Sequence, residues 1–238
     1  MKLPLFYRPG IHASEVEVLM DEHSSKHIVQ VLRMQVGEKL QLTDGKGNLY
    51  TTEIMDDHRK KCSVSILEKS QITNHKSQII IAVSPLKNTS RFEWFLEKAT
   101  EIGVTEIIPL LCERTEKQHF KWERMQGILI SAMLQSQQAW LPLLHEPIKF
   151  THYLSDLYST AFLHKMIAHC EGENNKEGIQ KIADPSKAQL ILIGPEGDFT
   201  KKEIEFAINN GCVPVSLGST RLRTETAGIV AATLLSIP

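Results

Sequence analysis

The chain has 238 residues, 42% of them hydrophobic and 23% charged, with a formal net charge of −1. That is ordinary globular composition, long enough for one or two domains that bury about 70% of the unfolded surface, so no staple is needed for stability. Bulk charge does not announce nucleic acid, and any RNA-binding role has to rest on local basic patches.

The N-terminus, "MKLPLFYRPG", lacks a long apolar stretch and is interrupted by Pro4 and Pro9, so it does not read as a signal peptide. The apolar runs at residues 79–83 and 190–193 have strand length, far short of a bilayer span. Cys62, Cys112, Cys170 and Cys212 are far apart and form no C-x-x-C pair. They read as reduced core or strand residues of a cytosolic protein.

Residues 1–72 are short-period and strand-like. In "SKHIVQVLRM", residues 25–34, Ile28, Val31 and Leu32 stand at helical spacing and predict one short amphipathic helix. "EKLQLTDGKGNLYTTEIM" alternates on either side of Asp44-Gly45-Lys46-Gly47, a hairpin with a glycine-dependent turn. "KKCSVSILEKS" alternates again, and the whole reads as a small β-barrel-like unit. "SQITNHKSQ" is polar and aperiodic, which places a linker near residues 70–77.

Beyond it, strands and helices alternate. "SQIIIAVSP" is a buried strand stopped by Pro85; Ser90 and Glu93 have capping-box spacing and open the helix "RFEWFLEKATEIG", with Trp94, Phe92 and Phe95 in its core and Gly103 as its stop. "VTEIIPLLC" is a strand, followed by a long helix over roughly residues 120–139. "TAFLHKMIAH" and "QLILIGPEG" are further strands; Thr200 and Glu203 form a second capping box ahead of "KKEIEFAINNG", which Gly211 ends. "CVPVSLG" is the last strand and residues 224–237 the last helix. This order predicts an α/β fold with a mostly parallel sheet covered on both faces.

Two glycine-bearing turns follow strands, "LIGPEGDFT" and "SLGSTRLRTETAG". In such sheets ligands bind beyond the carboxyl ends of the strands, so both turns belong to the expected site. The polar run ahead of the last helix could cap it, hold an anion or wrap a cofactor. There is no P-loop, and "GKGNLY" fails the dinucleotide fingerprint at its third glycine. A nucleoside cofactor without phosphates, such as S-adenosylmethionine, fits better and leaves Arg221 and Arg223 for a nucleic-acid substrate.

These turns, with "EKATEIGV…IIPLLCERT" upstream and "HIVQVLRMQVGEKLQLTDGKG" near the N-terminus, resemble the RsmE family over nearly the whole chain. These are bacterial 16S rRNA (uracil-N3)-methyltransferases of the SPOUT superfamily. The resemblance implies a PUA-like RNA-binding barrel over residues 1–72 and a SPOUT methyltransferase domain over residues 73–238 whose end threads a deep trefoil knot. It implies a cytoplasmic homodimer without metal or membrane, acting on 16S rRNA in the small subunit. The expected S-adenosylmethionine pocket takes Ile193, Gly194, Glu196 and Gly197 from the first turn. Leu217, Gly218, Leu222, Arg223, Thr224 and Thr226 come from the second, with His164 at a strand end that faces it.

Arg223 and Glu225 are the catalytic candidates. Arg223, with Arg221 or Arg91, would stabilise the developing uracilate; Glu225 would orient that arginine or take the N3 proton, or merely complement the helix dipole. Lys26, Arg33, Arg91 and Arg221 are the expected RNA contacts. Thr224 reads as the N-cap of the last helix and Glu196 as a ligand contact or an acceptor for its own turn. Lys98 and Glu101 form either a solvated face or part of the site. His23 and His27 have metal-compatible spacing but no third ligand. Two departures from the family pattern stand out: "MLQSQQAWLP" offers Gln135 but Gln138 where an arginine is expected, and Asp198 replaces a frequent glycine, which is tolerable if its φ is negative. The same residues leave two other readings open, a catalytically silent RNA-binding protein for ribosome assembly and a SPOUT enzyme acting on ribose 2′-OH or another base.

Overall fold

A computed structural model describes residues 3–12, 14–72, 78–116, 120–157, 163–172 and 176–237. The chain divides into two compact units, Met1–His75 with Met133–Leu141, and Lys76–Ala132 with Pro142–Pro238. Sequence pattern alone suggests a single cut near residue 72. It misses that residues 133–141 return to the first unit.

The first unit is a five-stranded sheet in the order β1-β3-β4-β5-β2, from β1 (Leu5–Tyr7), β2 (Glu17–Leu19), β3 (Lys39–Thr43), β4 (Asn48–Asp56) and β5 (Ser63–Gln71). The β3–β4 hairpin forms as its pattern predicts, because the Asp44 carboxylate accepts from the Lys46 amide at 2.8 Å and from Asn48 Nδ2 at 2.6 Å. Inward residues Leu40, Leu42, Tyr50, Ile54 and Val64 pack with Ile28 and Phe6 into one core. Trp140 bridges to Lys46, and the Ala139 carbonyl accepts from the Gly47 amide at 2.9 Å, which ties residues 133–141 to this hairpin. The expected linker overlaps the end of β5 at residues 70 and 71, and residues 73–77 lie outside the described residues.

The expected helix over residues 25–34 is instead α1 (Glu22–Lys26), capped by Asp21, running into a π turn, His27–Val31. The wider winding takes Val31 and Leu32 out of line with Ile28, so Ile28 is buried while Val31 is 68% exposed. Arg33, with φ 57°, ends the turn in the left-handed region. Lys26 and Arg33 are both exposed on this element, and the His27 ring packs edge-on against Phe6.

The second unit contains β6 (Ile79–Val83), α2 (Thr89–Ile102), β7 (Glu106–Leu111), most of α3 (Trp122–Gln135), β8 (Leu143–Leu144), β9 (Ile148–Lys149), α4 (Phe150–Asp156), β10 (Leu163–Ala168), β11 (Glu177–Gly178), α5 (Ile179–Ile182), β12 (Ala188–Ile193), α6 (Lys201–Asn209), β13 (Val213–Ser216) and α7 (Thr224–Ser236). Its eight strands run β11-β13-β10-β12-β6-β7-β8, with β9 beside β7, and each of these pairings is parallel. Both faces are covered, which is why β6 and β12 are buried almost end to end. On one face Ile80, Ala82, Leu190 and Leu192 meet Phe150 and Leu154 of α4 and Phe199, Ile204 and Ala207 around α6. On the other, α7 packs on β6, β12, α2 and α5.

Local signals account for several ends. Gly103 (φ 98°) and Gly211 (φ 81°) stop α2 and α6 in the left-handed conformation. The Thr200–Glu203 capping box is present in both directions. The Ser90–Glu93 pair is not a capping box. Asn88 caps α2 by accepting from the Ser90 amide, and Glu93 pairs with Arg124 of α3 at 2.5 Å. The expected long helix ends at Gln135, and Gln137, with φ 57°, turns the chain. Trp94 is not core. It is 44% exposed on α2, whereas Phe92 and Phe95 are buried. None of the four cysteines is in a disulfide; Cys170 is exposed, and burial raises the thiol pKa of Cys62 and Cys212 to about 11. No helix among the described residues is long and apolar enough to cross a membrane.

Candidate active site

The parallel order puts the carboxyl ends of β10, β12 and β13 side by side. Ala168 is in register with both Ile193 and Val215, so the segments that follow these three residues converge. Between them lies a cavity of about 790 Å³. A cavity of this size is in the range of small-molecule and cofactor sites.

From the first turn Ile193, Gly194, Pro195, Glu196 and Asp198 line it; from the second, Leu217, Gly218, Arg221, Leu222, Arg223, Thr224 and Glu225 do, and Arg91 enters from the first turn of α2. Thr224 Oγ1 donates to the buried Gly194 carbonyl at 3.0 Å and so ties the two turns together. This hydroxyl is not an N-cap: Arg223 occupies that position, in extended backbone, and makes no side-chain cap bond. Arg221 and Arg223 are exposed at the cavity and form no ion pair among the described residues.

Glu225 is only 7% exposed and stands 3.7 Å from Arg91 Nε. The carboxylate lies in the first turn of α7, where the helix dipole favours it, and it also faces a guanidinium. Glu196 serves a neighbouring loop rather than its own turn, accepting from the Lys87 amide at 3.2 Å. Arg114 donates to the Gly197 carbonyl at 2.6 Å and braces the first turn from outside. Asp198 has φ 64°, not the negative value that would make it unremarkable. Its carboxylate compensates by accepting from the Phe199 and Cys170 amides, both at 2.8 Å, and short Asx side chains tolerate this region.

Three expected cofactor contacts are not in the cavity lining. Gly197 and Thr226 flank it without lining it. His164 sits at the amino-terminal end of β10, opposite Gln189, about four residues or ~13 Å of strand from the carboxyl end. Its neighbours are Lys187 and Asp184. Of the two histidines on that expected strand, the one at the cavity is His169, together with Lys176, which sequence pattern did not single out. The only available signal was strand direction, since a residue just past a parallel strand's carboxyl end is placed at the ligand side. Lys98 binds Glu97 at 2.7 Å and Glu101 at 2.9 Å and does not line the cavity.

A second cavity, about 520 Å³, is lined by Cys112, Lys149, Glu203 and Phe206 among others. Burial, then the nearby Glu203, pushes the Cys112 thiol strongly up, so it is no thiolate nucleophile. No group of three or more histidine, cysteine or acidic side chains able to hold a metal occurs among the described residues.

The first cavity fits a neutral nucleoside carrying a charged tail. Residues of two tight turns line it, and the buried Nε2 of His169 has no hydrogen-bond partner among the described residues. Guanidinium and carboxylate groups gather at the α2–α7 side.

Fold and site together define an RNA methyltransferase. Residues 73–236 match the family model for an RNA methyltransferase domain, and residues 21–67 match that for an RNA methyltransferase PUA domain. A ribosomal RNA small subunit methyltransferase E from Rickettsia conorii is 30% identical over 92% of this chain and 88% of its own length. A crystal structure of a probable rRNA-methyltransferase from Porphyromonas gingivalis superposes with a TM-score of 0.89 at 39% identity, covering 97% of this chain and 95% of that one. A ribosomal RNA small subunit methyltransferase E from Neisseria gonorrhoeae, solved bound to S-adenosyl methionine, gives 0.85 at 30% identity with the same coverage. The chain belongs to the ribosomal RNA small subunit methyltransferase E family.

Proposed function

We propose that this protein methylates N3 of one uridine in 16S rRNA of the small ribosomal subunit, using S-adenosylmethionine held in the 790 Å³ cavity. The observation that carries the reading is the joining of the two glycine turns by Thr224 beside exposed Arg221 and Arg223. A silent RNA-binding protein would have no use for such a cavity. S-adenosylmethionine supplies an electrophilic methyl group. Ile193, Gly194, Leu217, Gly218 and Leu222 would hold its nucleoside half, chiefly through backbone groups.

Uracil N3 carries a proton and is a poor nucleophile until that proton passes to solvent water. Arg223 and Arg221, exposed at the cavity, stabilise negative charge as it builds on the uracil carbonyl oxygens. Glu225 acts by orienting Arg91, a role supported by their 3.7 Å separation. Fixing base and methyl donor in one cavity can contribute about 7–11 kcal/mol through proximity and orientation. Lys26 and Arg33 in the first unit position RNA through its phosphates.

The protein acts as a cytoplasmic homodimer. Trp94 on α2 and Ile237 at the end of α7, exposed on two helices that pack together, are suited to a partner subunit. A trefoil knot is consistent with β13 lying beside β10 while α7 packs back on β6 and α2. Replacing Arg223 by Ala should lower kcat by about 10²-fold, in the range seen for loss of one charge-stabilising donor, with the cofactor Kd changed by less than about 3-fold. Full turnover in that variant would remove Arg223 from the mechanism.

A further inference from the structure

Resting on the reading above, we infer that Arg114 is a positioning residue for methyl transfer, acting through Gly197 to hold the first glycine turn in the shape that receives S-adenosylmethionine. The turn meets the cavity through Ile193, Gly194, Pro195, Glu196 and Asp198, and neither Gly197 nor Arg114 is part of that lining. Arg114 follows β7, and its Nη1 donates to the Gly197 carbonyl at 2.6 Å. Gly197 does not have a positive φ, so its backbone conformation does not call for glycine. Space does: a Cβ at Gly197 would lie 3.3 Å from Arg114 Cδ, tighter than an ordinary contact. The arginine stem passes over the missing side chain, and its guanidinium reaches the carbonyl.

The segment that carries Arg114 is itself fixed, so the arginine has something to brace against. The Glu113 amide donates to Glu203 Oε1 at 2.8 Å. Thr115 Oγ1 accepts from the Cys112 amide at 2.8 Å and shares a hydrogen bond of 2.8 Å with the buried Ser84 Oγ. Glu116 pairs with Lys87 at 2.8 Å, and the Lys87 amide donates to Glu196. Along the turn, the Ser84 amide and Thr224 hold the carbonyls of Ile193 and Gly194, and Asp198 is tied to the Cys170 amide. Arg114 holds the stretch between them with a charge-assisted bond, a kind about twice as strong as a neutral one.

The test uses the full chain, with calorimetry for S-adenosylmethionine and steady-state methyl transfer to small ribosomal subunits. Arg114→Met should weaken cofactor binding about 10-fold, the low end for a hydrogen bond to a charged group. Arg114→Lys, which keeps a donor, should recover most of that loss. In Arg114→Met, kcat at saturating cofactor and KM for the subunit should stay close to the parent values. Gly197→Ala should weaken the cofactor about 3-fold in the parent and no further in Arg114→Ala, where the stem it meets is gone. Unchanged cofactor affinity in Arg114→Met, a kcat loss that persists at saturating cofactor, or additive costs at Gly197 and Arg114 would each overturn the assignment. So would a raised subunit KM with a salt slope reduced by about one, which would make Arg114 a phosphate contact. All four results leave the proposed function standing. Cofactor binding by the unaltered protein without methyl transfer would remove the proposed reaction and leave the brace, and no binding by the unaltered protein would remove both.

Discussion

Gly228 lies one turn into α7, where that helix crosses α2. A Cβ built on it would come within 2.5 Å of Phe95 Cε2 and 2.9 Å of Cδ2. Phe95 is fully buried, so its ring has no solvent to swing into. Gly228→Ala therefore sets two effects against each other. Helix propensity favours alanine by about 1 kcal/mol, while forcing a methyl group into a packed core costs typically 1–3 kcal/mol. The contact is closer than real Cβ atoms make, so the steric effect should win by about 1 kcal/mol. For a protein of this size that is a melting point lower by roughly 2–4 °C. Because Thr224 and Glu225 lie on the preceding turn of α7, cofactor affinity should fall with it. Thermal melting with and without S-adenosylmethionine reads both, and Phe95→Leu in the same background should recover part of the loss. A Gly228→Ala protein more stable than the parent would mean that α2 and α7 do not approach as described.

Thr224→Val removes the hydroxyl that meets the buried Gly194 carbonyl. It should cost roughly 1–3 kcal/mol in chemical denaturation, with Thr224→Ser near the parent value; equal stability of all three would argue that the turns are not tied there. His164 and His169 are both held below 6.5, chiefly by burial and then by Lys187 and Lys176 respectively. The unfolded chain then binds more protons than the folded one just below pH 6.5, so stability should fall as pH drops through that value and stay level above it. Melting from pH 8 to 5.5 should show the slope, and His164→Gln with His169→Gln should flatten it. Asp184, held at about 2 by Ser186 and Lys187, contributes in a separate window and loses its effect only as pH falls from 3.8 toward about 2.

Much of this architecture was legible from pattern because its causes are local. The Asp44–Gly47 hairpin and the Thr200–Glu203 box are each closed by side chains within four residues of their targets. The apolar runs of β6 and β12 announced strands buried on both faces. The failures are tertiary. Ser90 and Glu93 have the same spacing as the working box, but Asn88 precedes them and Arg124 takes the glutamate. The period of "HIVQVL" is compatible with α-helix, and nothing local reveals the π turn that exposes Val31.

At the site, the two glycine turns could be found because each follows an apolar strand. The choice between His164 and His169 could not be made, since the strand is apolar at both ends and only its register with β12 says which end meets the turns. Residues 160–162, the start of that expected strand, lie outside the described residues. The Arg91–Glu225 pair joins positions over a hundred residues apart and has no sequence signature.

The central claim is best tested by methyl transfer from labelled S-adenosylmethionine to small ribosomal subunits that lack the modification, followed by primer extension across the product. A methyl group on N3 blocks the pairing edge of uracil, so label should enter 16S rRNA and reverse transcriptase should stop at one uridine. Label without a stop would place the methyl group elsewhere on the nucleotide, and no label from a protein that binds the cofactor and the subunit would contradict the proposed reaction.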